Sequence, residues 1–306
     1  MRVGIAGIGF MGWIHWLAYQ QTDKATVAAI ASRDPKKRSG DWTGIQGNFG
    51  PPGAQVDLGG VTAYETLDEL VADPAIDLVD ICLPPHLHRA AVEKSLAAGK
   101  HVLCEKPLAL TPEDCDAMVA AADAAGRQLL VGQVLPWFPE YTKALEVIDS
   151  GEYGKPLGGI FKRIISDPTW ISDFYDPTTV GGPLIDLHVH DAHLIRVIFG
   201  MPTSVHCAAR LRGDVVEYCN TLFQFDDPQV VVSAASGVIH QQGRPFTHGF
   251  EIHLERATLQ FELAVAGGEG KVLMPLTLFG PGGETQQLDV ASGDDVRAFV
   301  CEIEEA

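Results

Sequence analysis

One hexapeptide narrows the possible folds of this 306-residue chain more than any other: Gly7-Ile8-Gly9-Phe10-Met11-Gly12. It follows a compact apolar run at residues 3–6 and opens a helical pattern at residues 13–19. In a strand–turn–helix of this kind each glycine has a physical task. Gly7 permits the tight turn, Gly9 lets a ligand approach the main chain, and Gly12 lets the helix lie close on the strand. The helix start then presents free N–H groups and a positive dipole, which suits a diphosphate. The competing reading is a plain strand-to-helix turn.

The rhythm that follows extends the same reading. A second strand falls at residues 27–31, and after Asp34-Pro35 a Gly- and Pro-rich stretch, 39–60, reads as a long loop of the functional or mobile kind. Alternation resumes with a helix at 67–71, a strand at 78–83, a helix at 86–98, a strand at 102–104 and a helix at 112–125. Thr111 caps that last helix, Pro112 suits its first turn, Glu113 and Asp114 sit at its positive end, and Gly126 closes it. Strand–helix alternation of this sort predicts an α/β domain, a doubly wound parallel sheet of Rossmann type over residues 1–127. From about residue 157 helices become rare. Strands are expected at 160–165, 205–211, 221–225, 230–234 and 250–255, with turns at Asp226-Asp227-Pro228 and Gln242-Gly243. Helices are expected at 184–199 and from near Asp294. This pattern predicts a second, α+β domain over 128–306, built on a large, mostly antiparallel, open-faced sheet.

Composition removes several functional classes. With 40 acidic against 22 basic residues the formal charge is −18, which repels phosphate backbones and anionic lipid, so neither nucleic acid nor membrane is expected as a partner. The six cysteines, Cys82, Cys104, Cys115, Cys207, Cys219 and Cys301, form no CxxC pair and read as small buried hydrophobes in a reducing compartment. No charged leader precedes an apolar run, and no apolar stretch approaches the roughly 20 residues of a spanning helix, so the expected location is cytoplasmic.

The end of the second strand bears on the nucleotide. A dinucleotide fold places an acid there to hold the ribose diol. This chain has Ser32-Arg33-Asp34. A hydroxyl and a guanidinium suit a 2′-phosphate better than a diol, which favours NADP over NAD. Two alternatives stand: Asp34 can bind a diol, and Arg33 can cover the adenine face.

Two further segments carry chemistry. Residues 99–108 read Gly-Lys-His-Val-Leu-Cys-Glu-Lys-Pro-Leu, and residues 181–194 contain Asp186, His188, His190, Asp191 and His193. Oxidising a secondary alcohol moves a hydride from carbon while a base takes the hydroxyl proton, and histidine is the side chain suited to that near neutral pH. A lysine ammonium stabilises the developing alkoxide. Asp186, His190 and His193 stand at i, i+4 and i+7, one helical face, so Asp186 can orient His190 or hold substrate.

These segments, with the glycine turn and Pro84-Pro85-His86-Leu87-His88, resemble the glucose–fructose oxidoreductase, inositol dehydrogenase and MocA-like (Gfo/Idh/MocA) family over nearly the whole chain. The resemblance implies a dehydrogenase of sugars, cyclitols or related polyhydroxylated molecules, with catalytic Lys106, Asp186 and His190. It implies that Lys106, in Glu105-Lys106-Pro107, reaches both nicotinamide and substrate, with a cis bond before Pro107. Expected cofactor contacts are Gly7, Gly9, Phe10, Met11, Gly12, Ser32, Arg33, Pro84, His88, Glu105 and Lys106. Expected substrate contacts are Lys106, Trp170, Tyr175, Asp186, His190 and His193; Trp170, Phe174 and Tyr175 suit a sugar face and suit packing equally.

The alternatives are a metal-dependent hydrolase using His188, His190, Asp191 and His193, a non-catalytic NAD(P)-binding regulator, and redox-assisted glycoside cleavage. Against the first, Leu184, Leu187, Leu194 and Ile198 space as a helix, which points His188 away from His190. No bound metal is expected. The chain departs from the family at Pro85, Pro136 and His193, where a small polar residue, an arginine and an acid are usual; these bear on substrate identity. A sheet face free of helices predicts a homodimer or homotetramer through the second domain.

Overall fold

The computed structural model describes residues 1–47, 49–168, 173–266, 269–291 and 296–305. Two units form, one of residues 1–134 with the C-terminal helix and one of residues 135–292.

In the first unit a six-stranded sheet runs in the order β3-β2-β1-β4-β5-β6, with every neighbouring pair parallel. The strands are β1 (Arg2–Ala6), β2 (Thr26–Ala31), β3 (Thr62–Tyr64), β4 (Leu78–Ile81), β5 (His101–Glu105) and β6 (Leu129–Gly132). Between them lie α1 (Phe10–Tyr19), α2 (Pro35–Arg38), α3 (Leu67–Ala72), α4 (His88–Ala97) and α5 (Pro112–Ala125). Local chemistry sets the helix ends. Thr66 and Glu69 close a capping box on α3, Thr111 accepts the Asp114 N–H, and Gly126 takes the left-handed conformation (φ 59°) after α5. Strand order reverses between β1 and β4, and ligands of such sheets sit beyond the carboxyl ends of the strands at that point.

The 39–60 loop is tethered. Trp42, fully buried, meets Trp13 and Trp16 edge-on, its Nε1 donates to Lys37 O, and Trp13 Nε1 donates to Pro51 O. Sequence reading placed this segment among functional or mobile loops; Trp42 and the Trp13 bond to Pro51 tie it to α1.

The second unit holds α6 (Pro139–Asp149), α7 (Val189–Phe199) and an eight-stranded sheet in the order β14-β13-β12-β11-β7-β10-β9-β8. Its strands are β7 (Pro156–Ser166), β8 (Ser204–Arg212), β9 (Val215–Gln224), β10 (Val231–Ile239), β11 (Phe246–Leu254), β12 (Thr258–Ala266), β13 (Glu269–Phe279) and β14 (Thr285–Gln287). Only β7 and β10 pair in parallel. One face, with Phe161, Val232, Ala234, Phe250 and Phe261, packs on Tyr141 and Ala144 of α6 and on Leu194 and Ile195 of α7. On the other face the register aligns Glu251, Ile160, Ser233 and Leu222 across four strands, with Ile160 and Leu222 exposed.

The C-terminal helix, α8 (Val296–Glu305), packs on α1 of the first unit. The units therefore differ from the expected 1–127 and 128–306: β6 pairs with β5, and α8 joins the first sheet's helices. All six cysteines are free, but Cys207 is exposed, unlike the buried set expected. Among the described residues no helix is long and apolar enough to cross a membrane.

Candidate active site

The glycine turn meets the demands the sequence placed on it. Gly7 adopts φ 98°, and a Cβ there would stand 2.7 Å from Cys82 O. A Cβ on Gly12 would stand 2.2 Å from Gly7 O. Beside Gly9 a Cβ would meet no atom within 4 Å, so the main chain there is open to approach. Gly9 caps α1 without any side-chain hydrogen bond, and the first helical bond runs from Trp13 N to Gly9 O, 3.0 Å. The N–H groups of Phe10, Met11 and Gly12 precede that bond, which leaves them for an anion. These residues fit a dinucleotide's diphosphate. The Phe10 ring meets Phe49 edge-on, centroids 4.8 Å apart.

After β2, Asp34 caps α2, accepting the Lys36 N–H (2.9 Å). Ser32 Oγ accepts the Asp34 N–H at 3.3 Å, and Arg38 donates to Ser32 O at 2.7 Å. Arg33 is exposed. Asp34 is thus engaged as a helix cap, with Lys36, Lys37 and Arg38 in the helix it caps, and Arg38 also pairs with Glu65 after β3 at 3.2 Å.

At the ends of β4 and β5 the expected contacts divide. Pro84 is exposed and leads into a 3-10 turn, Pro85–Leu87. His88 is fully buried, with Nδ1 2.9 Å from Pro107 O and Nε2 2.7 Å from Leu83 O. It braces the turn against the segment after β5, so its side chain is committed within the protein. Glu105 is committed likewise. One carboxylate oxygen accepts from His15 Nε2 at 3.0 Å, and the other accepts the Lys106 N–H at 3.0 Å. Lys106 is half-buried at the carboxyl end of β5, and the bond to Pro107 is cis, as the resemblance implied.

Sequence reading missed the buried group behind Lys106. His15 on α1 donates through Nδ1 to Asp80 on β4 at 2.8 Å, as well as to Glu105. Burial works against its charge, yet the Asp80 carboxylate, aided by Cys82, holds its pKa well above the usual imidazole value. Glu302 of α8 lies close by, 6% exposed, and neither carboxyl oxygen has a hydrogen-bond partner among the described residues. Burial, with Glu105 nearby, pushes its carboxyl up to about 8. The available signal was Asp80 inside the apolar run Leu78-Val79-Asp80-Ile81, because an acid in a fully buried strand demands a partner.

In the second unit the expected helix starts as a π-helical turn, Leu184–His188, and becomes α-helical from Val189. Single π turns occur often at functional sites. Asp186, His190 and His193 are half-buried, whereas His188 and Asp191 are buried. His188 Nδ1 lies 2.9 Å from Ser236 Oγ on β10. Asp191 takes both Arg163 Nε and Nη2 at 3.1 Å. Burial opposes the Arg163 charge, but Asp191 keeps its pKa above the ordinary value. The burial of His248, and then the Arg163 charge beside it, hold its pKa well below the imidazole norm, so His248 Nδ1 accepts from Tyr141 Oη (2.8 Å). His193 is depressed by burial and then by Arg196, and its Nδ1 has no partner among the described residues.

The proposed metal-ligand string is therefore broken up: Asp191 serves an ion pair and His188 a serine. Among the described residues only His15, Asp80 and Cys82 bring three possible ligand atoms together. Tyr175 is also committed elsewhere. Arg212 covers its ring at 3.9 Å, and its hydroxyl donates to Asp167 at 3.0 Å, so packing describes it better than a sugar platform. Phe174 is buried, and Trp170 lies outside the described residues.

Residues 1–133 match the model of the oxidoreductase family with an NAD-binding Rossmann fold, and residues 141–260 match the GFO/IDH/MocA C-terminal domain. Myo-inositol 2-dehydrogenase of Thermotoga maritima is 30% identical over 201 residues, 65% of this chain and 55% of that protein. Inositol 2-dehydrogenase of Rhizobium meliloti is 26% identical over 318 residues, covering 99% of this chain and 89% of that one. The chain spans about half the length of the first curated relatives it matches, including 48% of an uncharacterized oxidoreductase of Rhizobium meliloti at 35% identity. In fold it is similar to aldose-aldose oxidoreductase of Caulobacter crescentus, with a TM-score of 0.79 at 22% identity over 100% of this chain and 88% of that one. With two family models covering most of its length, the chain belongs to the Gfo/Idh/MocA oxidoreductase family, with that family's Rossmann domain and C-terminal domain.

Proposed function

We propose that the chain is an NAD(P)-dependent dehydrogenase acting on a secondary hydroxyl of a sugar, cyclitol or related polyhydroxylated small molecule. The observation that carries this reading is the open main chain at Gly9, above a helix start with no side-chain cap, in a sheet whose strand β5 ends directly before Lys106. Relatives named as inositol dehydrogenases support the substrate class, as does the similar fold of levoglucosan dehydrogenase, solved with NADH and levoglucosan.

In this reading the nicotinamide, when bound, supplies the two-electron acceptor. Gly7, Gly9 and Gly12 with the N–H groups of Phe10 and Met11 hold the diphosphate. Ser32 and Arg33 take a 2′-phosphate, since Asp34 is occupied as a cap, which favours NADP. His190 removes the hydroxyl proton, Asp186 orients His190 or the substrate, and Lys106 stabilises charge on the oxygen. The ion pair of Asp191 with Arg163 fixes the helix directly after His190 to the sheet. His193 is a candidate substrate contact. We further propose a homodimer or homotetramer through the helix-free face that carries Ile160 and Leu222.

The test is a panel of sugars and cyclitols with NAD and with NADP, read at the absorbance of the reduced cofactor, with and without a chelator. The proposal expects nicotinamide-dependent turnover that the chelator leaves unchanged. Zinc-dependent hydrolysis without nicotinamide would overturn it.

A further inference from the structure

The group behind Lys106 is too costly to be idle packing. Asp80, Glu105 and Glu302 bring three carboxyl groups into one buried neighbourhood with a single imidazole, His15. Buried charges persist only when paired, and each one left unpaired is strongly destabilising. His15 pairs two of them at once through its two N–H groups, at 2.8 and 3.0 Å. The Glu105 carboxylate is then fixed on both sides, because its second oxygen accepts the Lys106 N–H. Further packing holds it: a Cβ on Gly132 of β6 would lie 3.3 Å from Glu105 Oε1. The Phe299 ring of α8 stands 5.7 Å from the imidazole at a tilt of 50°, and His15 is fully buried.

We propose that His15 is a positioning residue for Lys106: held between Asp80 and Glu105, it orients the carboxylate that grips the Lys106 N–H and so sets the backbone from which the lysine projects. This rests on the role given to Lys106 above. His15 touches neither cofactor nor substrate in this account. It acts through Glu105, and the observable consequence lies in the aim of the lysine.

His15→Gln keeps a donor for one carboxylate and removes the second. A misplacement of about 1 Å at a reacting group costs roughly 100-fold in rate. The variant is expected to lose on the order of that factor in kcat while its Kd for reduced nicotinamide stays within about twofold. Hydrogen exchange at the Lys106 amide should accelerate roughly tenfold, as for the loss of one charge-assisted hydrogen bond. In a Lys106→Ala background, His15→Gln should cost nothing further, because the group it positions is gone. Should His15→Gln fail to fold, Gly132→Ala presses on the same carboxylate from β6 by a few tenths of an ångström; kcat should fall by less than in His15→Gln, and only while Lys106 is present.

Equal losses with and without Lys106 would overturn the inference, since a merely structural role adds. Full turnover in His15→Gln, with turnover lost in Lys106→Ala, would overturn it alone. Full turnover in Lys106→Ala would overturn the function assigned to Lys106 and the inference with it.

Discussion

Glu302→Gln should stabilise this protein, and by more as pH rises. The native carboxyl sits at about 8 against an ordinary 4.5, driven by burial and by Glu105. An acid raised in the folded state is protonated there while ionised in the unfolded chain, so the folded state binds the extra proton. Stability therefore falls with pH from about 4.5 upward and levels out above about 8. At about 1.36 kcal/mol for each pH unit separating the two values, the full cost approaches 5 kcal/mol, and about 4 of it accrues between pH 5 and pH 9. Glutamine has nearly the shape of the neutral acid and cannot ionise. The variant should match the wild type near pH 5 and lead it by up to 4 kcal/mol, or roughly 10 °C in Tm, at pH 9. Movement of α8 that hydrates the carboxylate reduces the figure without changing its sign. The assay is thermal unfolding of both proteins at intervals from pH 5 to 9. A gap in Tm that stays flat across the range, or one that favours the wild type at pH 9, would refute the reasoning.

Two other expectations follow from charges the structure pairs. Asp191→Asn or Arg163→Leu leaves a buried charge alone and should cost about 3–5 kcal/mol by denaturant unfolding, whereas a double change to apolar residues of similar volume should cost far less. Equal penalties for the single and double variants would contradict the pairing. For the cofactor, Arg33→Ala should weaken NADP binding by about tenfold or more, the worth of one charge-assisted contact, and leave NAD within twofold. Titration of reduced-nicotinamide fluorescence decides this, and equal losses for both cofactors would end the 2′-phosphate argument.

What the sequence made legible was local. The glycine turn, the ends of α5 and the change from alternating elements to a strand-rich half depend on residues within a few positions of one another, and all are present in the structure. Long-range partners were not legible. His88 and Glu105 lay in the right motifs, but their side chains turn inward, to Pro107 O and to His15, and nothing adjacent in sequence announces that. The anchoring of the 39–60 loop depends on Trp42 finding Trp13 and Trp16 across more than twenty residues. Strand β12 and helix α6 went unread although both carry a local signal: Leu259, Phe261 and Leu263 alternate with Gln260 and Glu262, and Tyr141, Ala144, Leu145 and Ile148 share one helical face. Asp186 falls in the π turn and His190 in the α-helix that follows, a change of helix type that apolar spacing does not reveal.

The central claim, that Lys106 and His190 carry alcohol–carbonyl redox chemistry, is tested most directly on whichever polyol the substrate panel returns. The measurement is kcat for Lys106→Ala and His190→Ala beside the wild type, with reduced-nicotinamide affinity taken on the same preparations. The account predicts a fall of about 100-fold or more in each variant, the usual worth of a general acid–base or charge-stabilising group, with cofactor affinity for His190→Ala unchanged. Full turnover in His190→Ala would contradict it.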